Sequence, residues 1–255
     1  MSRPEPPLFS IITVVRNRAT TIEQAVDSLA AQSCGDYEHV VQDGASRDGT
    51  LELLKAITDS RLQLTSEPDG GIYDGLNRAL ARTSGHIIGL LHSDDFYAHS
   101  GVLEQVARCF EETGADAVYG DLDYVSAADP TKIIRRWRSG HFSRRALHRG
   151  WMPPHPALFL SRCVIEQWGA YDTKFEIAAD YDAILRYFGT GGITAAYIPE
   201  VLVKMRLGGA SNRSLSRIIT KSREDYRALR KNHIGGLVTL LCKNLRKVAQ
   251  FTLTA

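Results

Sequence analysis

Cysteine is scarce and scattered. The four residues, Cys34, Cys109, Cys163 and Cys242, form no CxxC pair. This argues against a zinc ribbon or a disulfide framework and fits a reducing compartment. Long apolar runs are missing too: none approaches the roughly 20 residues that a bilayer span needs. The opening MSRPEPPLFS is polar and Pro-rich rather than a signal peptide, so the catalytic part is expected in the cytosol. Neither GxGxxG nor GxxxxGK[ST] occurs. That disfavours a dinucleotide-dependent dehydrogenase and a P-loop NTPase. A net charge of +2 is too small to indicate nucleic-acid binding. There is no internal repeat and no low-complexity stretch.

What is present is an ordinary globular composition, 44 % hydrophobic and 24 % charged over 255 residues. This is enough for one large α/β domain, or one domain with a short appendage. Residues 8–15 (LFSIITVV) form a continuous β-branched run and read as a strand buried on both faces. Residues 19–31 carry Ile22, Ala25, Val26 and Leu29 at helical spacing. Strands are expected at 37–41, 62–65, 87–91 and 117–119, with helices at 48–57, 72–80 and 102–110 between them. Such alternation predicts a mostly parallel sheet with helices on both faces and ligands at the carboxyl ends of the strands. Beyond residue 120 the pattern predicts a strand pair over 121–137 with a turn at Asp129-Pro130, a strand at 157–160 and a short helix at 163–168. A helix follows at 180–188, then strands at 193–198 and 201–205 split by Pro199. From about residue 214 the chain reads as helical and basic.

Acidic residues fall at the expected strand ends: Asp43, Asp69, and the pair Asp94-Asp95. Asp43 opens QDGASRDGT. It reads either as a capped turn, with Ser46 or Asp48 starting the next helix, or as a carboxylate facing a nucleobase. Asp69 sits in EPDGGIYDGLN, whose glycines permit positive φ and close backbone approach. Asp74 and Asn77 there share a helix face. Ser93-Asp94-Asp95 reads as a solvated turn or as hard oxygen ligands for Mg²⁺ or Mn²⁺ beside a diphosphate. Asp180, in AADYD, reads as a helix-start aspartate or as the base that takes a hydroxyl proton. Asp182 is expected to cap the helix or face water. His155, between prolines, reads as a hydrogen-bonded loop residue or as a contact to a diphosphate or acceptor. Asp121 and Asp123 either line an acceptor side or are exposed alternating positions.

The strings FSIITVVRN, QDGASRDGT, EPDGGIYDGLNRAL, LLHSDDFY, VYGD, HPALFLSR and AADYDAILR resemble glycosyltransferase family 2 in order and spacing. The resemblance runs over roughly residues 8–206 and is strongest to bacterial members that build exopolysaccharide or lipopolysaccharide. It implies a GT-A fold, a Rossmann-like mixed, mostly parallel sheet flanked by helices, here with a C-terminal helical extension. It also implies a UDP- or other nucleotide-sugar donor and inversion at the anomeric carbon. By resemblance Asp43 and Asp69 contact base and ribose, Asp95 is the metal ligand with Asp94 beside it, and Asp180 is the catalytic base. The donor site is expected to include Val15, Asn17, Tyr73 and Asn77 as well. The QxxRW string of processive synthases is absent, so transfer of a single sugar is expected. The alternatives are a sugar-nucleotide pyrophosphorylase, disfavoured because residues 15–20 (VRNRAT) hold no glycine, and an inactive nucleotide-sugar-binding protein.

The expected organisation is a catalytic domain over 1–212, divided into a nucleotide-sugar half (1–120) and an acceptor half (121–212), and a basic tail over 213–255. Arg135 and Arg136 belong to a run of basic residues near Trp137. The run reads as a solvated surface or as a patch for a phosphorylated, lipid-linked acceptor. In the tail, Leu237, Val238, Leu240, Leu241, Leu245, Val248 and Phe251 interleave with Lys243, Arg246 and Lys247. A basic amphipathic helix of this kind lies on an anionic membrane, docks on the core, or makes a dimer.

Overall fold

The first apolar run forms β1 (Phe9–Val15), and its residues are almost all buried. It pairs in parallel with β2 (Tyr37–Asp43) on one side and β4 (Ile87–Leu90) on the other. β3 (Leu62–Ser66) adds in parallel outside β2. Burial on both faces is why β1 and β2 read as apolar runs rather than alternating ones. The computed structural model describes residues 5–207 and 215–252, so the expected tail boundary at 212/213 lies outside the described residues.

The crossovers between these parallel strands are made by α1 (Ile22–Ala30), α2 (Thr50–Ala56) and α3 (Ile72–Leu80). Helix α1 buries Ile22, Ala25, Val26 and Leu29, as its spacing predicts. Beyond β4 the sheet becomes mixed, and the full order is β3-β2-β1-β4-β8-β6-β9-β5, with β7 beside β6. These added strands are β5 (Asp95–Tyr97), β6 (Ala117–Val125), β7 (Ile133–Trp137), β8 (Leu158–Ser161) and β9 (Ala195–Arg206). Helix α4 (Val102–Thr113) joins β5 to β6. Short helices α5 (Arg144–His148) and α6 (Arg162–Trp168) flank β8. The expected division near residue 120 falls inside β6.

Two expectations are corrected here. Ile193–Met205 is not a pair of strands split by Pro199. A single β9 passes through it, because the ladder shifts there: Tyr119 opposes Tyr197 while Asp121 opposes Val201. The extra residues bulge out, and a residue without an N–H is tolerated at such a place. The helix expected over 180–188 is α-helical only as α7 (Ala179–Ile184) and widens into π-helical turns over Leu185–Thr190.

The tail forms α8 (Leu215–Lys231) and α9 (Leu237–Thr252). Helix α8 packs on α7, and α9 packs on α8 and β7. Helix α9 turns a lysine as well as a leucine toward the core. Lys243 is 3 % exposed, with its Nζ 2.8 Å from Asp225 Oδ1 and 3.2 Å from the centroid of the Tyr181 ring. Leu237, Val238, Leu241 and Leu245 remain exposed, while Leu240 packs against the core. The side chains of Val248 and Phe251 lie outside the described residues. Among the described residues no helix is long and apolar enough to cross a membrane.

Candidate active site

Two loops at the carboxyl ends of β1 and β2 are tied together by side chains. Asn17, with a left-handed φ of 55°, receives the Arg47 N–H on its Oδ1 at 2.9 Å and donates its own N–H to Ser46 Oγ at 2.8 Å. Asp48 accepts the Ala19 N–H at 3.1 Å and holds the start of α2 through Thr50. Ala45 also takes a left-handed φ, 56°. Such strain persists where surrounding bonds enforce it, commonly at ligand clamps. Asp43 is fully buried. Its carboxylate accepts from Ser46 Oγ at 2.5 Å, Ser66 Oγ at 2.6 Å and the Ser46 N–H. In this arrangement it holds the turn and lines neither the cleft of Asp69 nor the cavity of Asp180. Val15 is buried as well, its carbonyl accepting the Gly44 N–H at 2.9 Å.

Asp69 faces the open side. It lines a cleft of about 300 Å³ with Arg16, Arg18, Gly71, His92 and Asp94. Two glycines make room for its carboxylate. A Cβ on Gly44 would stand 2.8 Å from Asp69 Oδ2, and one on Gly75 would stand 3.1 Å from that atom and 2.8 Å from Val14 Cγ1. This is why the strings around Asp43 and Asp74 need glycine where they have it. Asn77, expected at the donor, turns away. It clamps the backbone of Tyr171, donating to its carbonyl at 2.8 Å and accepting its N–H at 3.0 Å.

Asp94 and Asp95 face different surroundings. The Asp94 carboxylate is 23 % exposed, 3.8 Å from Arg18 Nε, and lines the cleft. Asp95 is fully buried at the start of β5; its Oδ1 accepts the Arg206 N–H at 3.3 Å, and its Oδ2 has no hydrogen-bond partner. Burial, with the Asp94 charge beside it, holds the Asp95 carboxyl well above the usual carboxylate range. A buried carboxylate oxygen without a donor next to a half-exposed carboxylate suits a hard divalent cation. Among the described residues no group of three or more His, Cys, Asp and Glu converges as a ready metal cage. Mg²⁺ characteristically takes one or two carboxylates and fills its other positions with water and substrate phosphates.

On the other side of Ile72, His92 and Met205, which line both clefts, lies a cavity of about 260 Å³. Asp180, at the start of α7, is the one carboxylate lining it among the described residues. Tyr73 reaches it from α3: its hydroxyl donates to the Ile177 carbonyl at 2.6 Å and lies 3.2 Å from Asp180 Oδ1. Tyr73 stacks on Tyr171, whose hydroxyl is 3.2 Å from His155 Nε2. His92 and His155 have ring centroids 5.5 Å apart. Burial pushes the His155 imidazole down to about 4 and lowers His92 as well. Both rings are therefore neutral near pH 7 and poor proton acceptors.

The acceptor-side expectations divide. His155 and Arg135 line the Asp180 cavity. Asp121 does not: it is 3 % exposed and accepts from Tyr197 Oη at 2.7 Å and the Ser139 N–H at 2.8 Å. Asp123 is taken up by Arg138 at 2.8 Å, and Arg136 lines neither cleft. Asp182, expected to cap or face water, is fully buried. It is bonded to Arg186 at 3.2 Å, Lys231 at 3.0 Å and Asn232 at 2.9 Å. Sequence reasoning missed Lys221, Lys243 and Lys247, which enter the cavity wall from α8 and α9. Their only signal was lysine on an amphipathic helix, which normally marks a solvated face.

The glycosyl transferase family 2 model matches residues 10–161. The chain belongs to that family. A further relative is the PGL/p-HBAD biosynthesis glycosyltransferase of Mycobacterium tuberculosis (strain ATCC 25177 / H37Ra). It is 31 % identical over 211 residues, 81 % of this chain and 80 % of the relative. Among solved structures, S. aureus TarS 1-349 in complex with UDP-GlcNAc overlays with a TM-score of 0.70 at 16 % identity. That match covers 89 % of this family 2 chain but 65 % of the TarS chain, just under two thirds of it. The mannosyltransferase PcManGT from Pyrobaculum calidifontis, in complex with GDP-Man and Mn²⁺, overlays with a TM-score of 0.65 at 20 % identity, over 99 % of this chain and 72 % of that one. At these identities the structures establish the GT-A fold of this glycosyltransferase. Family membership sets aside the pyrophosphorylase alternative.

Proposed function

We propose that this glycosyltransferase moves one sugar, with inversion, from a nucleotide-sugar donor to an acceptor hydroxyl, with Asp180 as the base. One observation carries the reading: among the described residues Asp180 is the one carboxylate in a cavity that shares Ile72, His92 and Met205 with the cleft of Asp69 and Asp94. The donor lies in that cleft, where Asp69 faces the sugar-nucleotide and the loop of Asn17 and Ser46 closes over it. Asp43 acts there by holding the loop. The acceptor hydroxyl gives its proton to an Asp180 oxygen as its own oxygen bonds to the anomeric carbon. The bond from that carbon to the phosphate oxygen breaks, and its electron pair stays on the leaving diphosphate. A retaining route through a glycosyl-enzyme needs a second, nucleophilic carboxylate close to the first, and this cavity offers one carboxylate.

Asp94 and Asp95 would hold a divalent cation, Mg²⁺ or Mn²⁺, which when bound offsets the negative charge of the diphosphate. Single transfer follows from the missing QxxRW string. A carbohydrate or lipid-linked saccharide is the acceptor class. The exposed leucines of α9 support peripheral contact with an anionic membrane. The test is a thermal-shift panel of UDP-, GDP-, dTDP- and CMP-sugars with Mn²⁺ and with EDTA. A rise for one nucleotide class, dependent on metal and lost in Asp95→Ala, is expected. No rise with any donor would remove the reading.

A further inference from the structure

The wall of the Asp180 cavity gathers more positive charge than the fold neutralises. Lys221 from α8, and Lys243 and Lys247 from α9, line it beside Asp180. Lys221 and Lys243 share a single buried carboxylate, Asp225, at 3.1 and 2.8 Å. Lys247 has no carboxylate within ion-pairing distance among the described residues. Three ammonium groups thus answer to one carboxylate, apart from Asp180 itself.

The arrangement is unfavourable in the free protein. Burial, then the repulsion of Lys221, pushes the Lys243 ammonium down to about 7 and that of Lys247 down to about 8. A fold that needed only packing here would do better with apolar residues, since half-buried like charges raise the energy of the native state. An anion entering the cavity removes that penalty and keeps the ammonium groups protonated, and a doubly charged group does so more fully than a singly charged one. Phosphate monoesters carry about −1.5 to −2 at pH 7, whereas a carboxylate carries one charge. The donor diphosphate is served elsewhere: Arg16 and Arg18 line the neighbouring cleft with Asp69 and Asp94.

We propose that the acceptor carries a phosphate or diphosphate group, seated by Lys221, Lys243 and Lys247 so that a nearby hydroxyl faces Asp180. This rests on the reading of the Asp180 cavity as the acceptor site. The group belongs either to a lipid headgroup or to a soluble sugar phosphate, and the chemistry of recognition is the same.

The test titrates the full chain with inorganic phosphate, farnesyl phosphate and glucuronate, after saturation with whichever of UDP, GDP, dTDP and CMP binds, with Mg²⁺, to fill the donor cleft. Calorimetry reads binding, and Trp137, which lines the cavity, adds a fluorescence signal. Phosphate binding is expected, weakened at least tenfold in Lys247→Gln, kept in Lys247→Arg, with nucleotide affinity unchanged in both. Tighter binding of farnesyl phosphate than of phosphate points to the lipid source; equal binding points to the soluble one. Absence of phosphate binding in the nucleotide-loaded protein overturns the proposal while leaving the donor site standing. So does glucuronate binding as tightly as phosphate, or nucleotide affinity falling together with phosphate affinity in Lys247→Gln. If none of UDP, GDP, dTDP and CMP binds the wild type, the donor reading falls, and this proposal with it.

Discussion

Tyr73 and Asp180 meet across the cavity with the tyrosine hydroxyl 3.2 Å from the carboxylate and 2.6 Å from the Ile177 carbonyl. A phenol has one proton to give. The shorter contact takes it, so Asp180 is positioned by Tyr73 without being strongly hydrogen-bonded by it. Tyr73→Phe is therefore expected to lower kcat by roughly tenfold or less and to leave donor KM unchanged, because a neutral hydrogen bond contributes about 1 kcal/mol. Steady-state kinetics check this. A hundredfold loss would mean that Tyr73 takes part in the proton transfer.

Asp182 stands two residues from Asp180 and does a different job. It is buried with Arg186, Lys231 and Asn232 around it, and through Lys231 and Asn232 it ties α7 to the end of α8. Removing one partner of a buried charge cluster leaves the others uncompensated. Asp182→Ala should destabilise the fold by roughly 3 kcal/mol, read from urea midpoints, whereas Asp180→Asn should shift them little. Equal midpoints for wild type and Asp182→Ala would contradict the assignment.

His39 and His155 predict acid sensitivity. Burial pushes both imidazoles down to about 4 from the ordinary 6.5. Thr13 donates its hydroxyl to the Leu91 carbonyl at 2.7 Å, so at 2.9 Å its oxygen accepts from His39 Nε2, which places the proton of the neutral ring on Nε2. The unfolded chain takes up a proton at each site from about pH 6.5, and the folded chain only near pH 4. Stability is thus full above pH 6.5 and lost as pH falls toward 4. Each histidine should account for about 2 kcal/mol between pH 7 and 5. Denaturant titrations at several pH values should show His39→Gln flattening part of that slope. A slope unchanged in the variant would show that His39 titrates normally.

Helix α9 turns Lys243 inward and leaves Leu237, Val238, Leu241 and Leu245 outside. A helix face of this kind binds a bilayer interface through buried apolar area. Flotation with vesicles containing anionic lipid should carry wild type upward, and Leu241→Ser with Leu245→Ser should remain at the bottom. Identical behaviour of the two proteins would remove membrane contact from the account.

The parallel half of the sheet was legible because its information is local. Residues 8–15 are nearly all apolar, α1 spaces its apolar residues by three and four, and Asp69 and Asp94 come within four residues of the ends of β3 and β4. Asp182, Asp121 and Asn77 were not legible, since each is defined by partners 50, 76 and 94 residues away. Nothing near Asp182 in the sequence separates it from Asp180. The lysines of α9 show the same limit from the other side: a cationic stripe reads as solvated until β7 and α8 are seen to pack against it. Asp43 was placed correctly at a strand end, yet Ser66, 23 residues away, decides that its carboxylate holds a turn.

The central claim is that Asp180 takes the acceptor proton while the donor binds elsewhere. Asp180→Asn keeps the shape and removes the base. Donor affinity by calorimetry should stay within about twofold of wild type, while nucleoside diphosphate release falls by roughly 100- to 10,000-fold, the usual range for loss of a general base. Turnover at the wild-type rate, or loss of donor binding in parallel with turnover, would contradict the account.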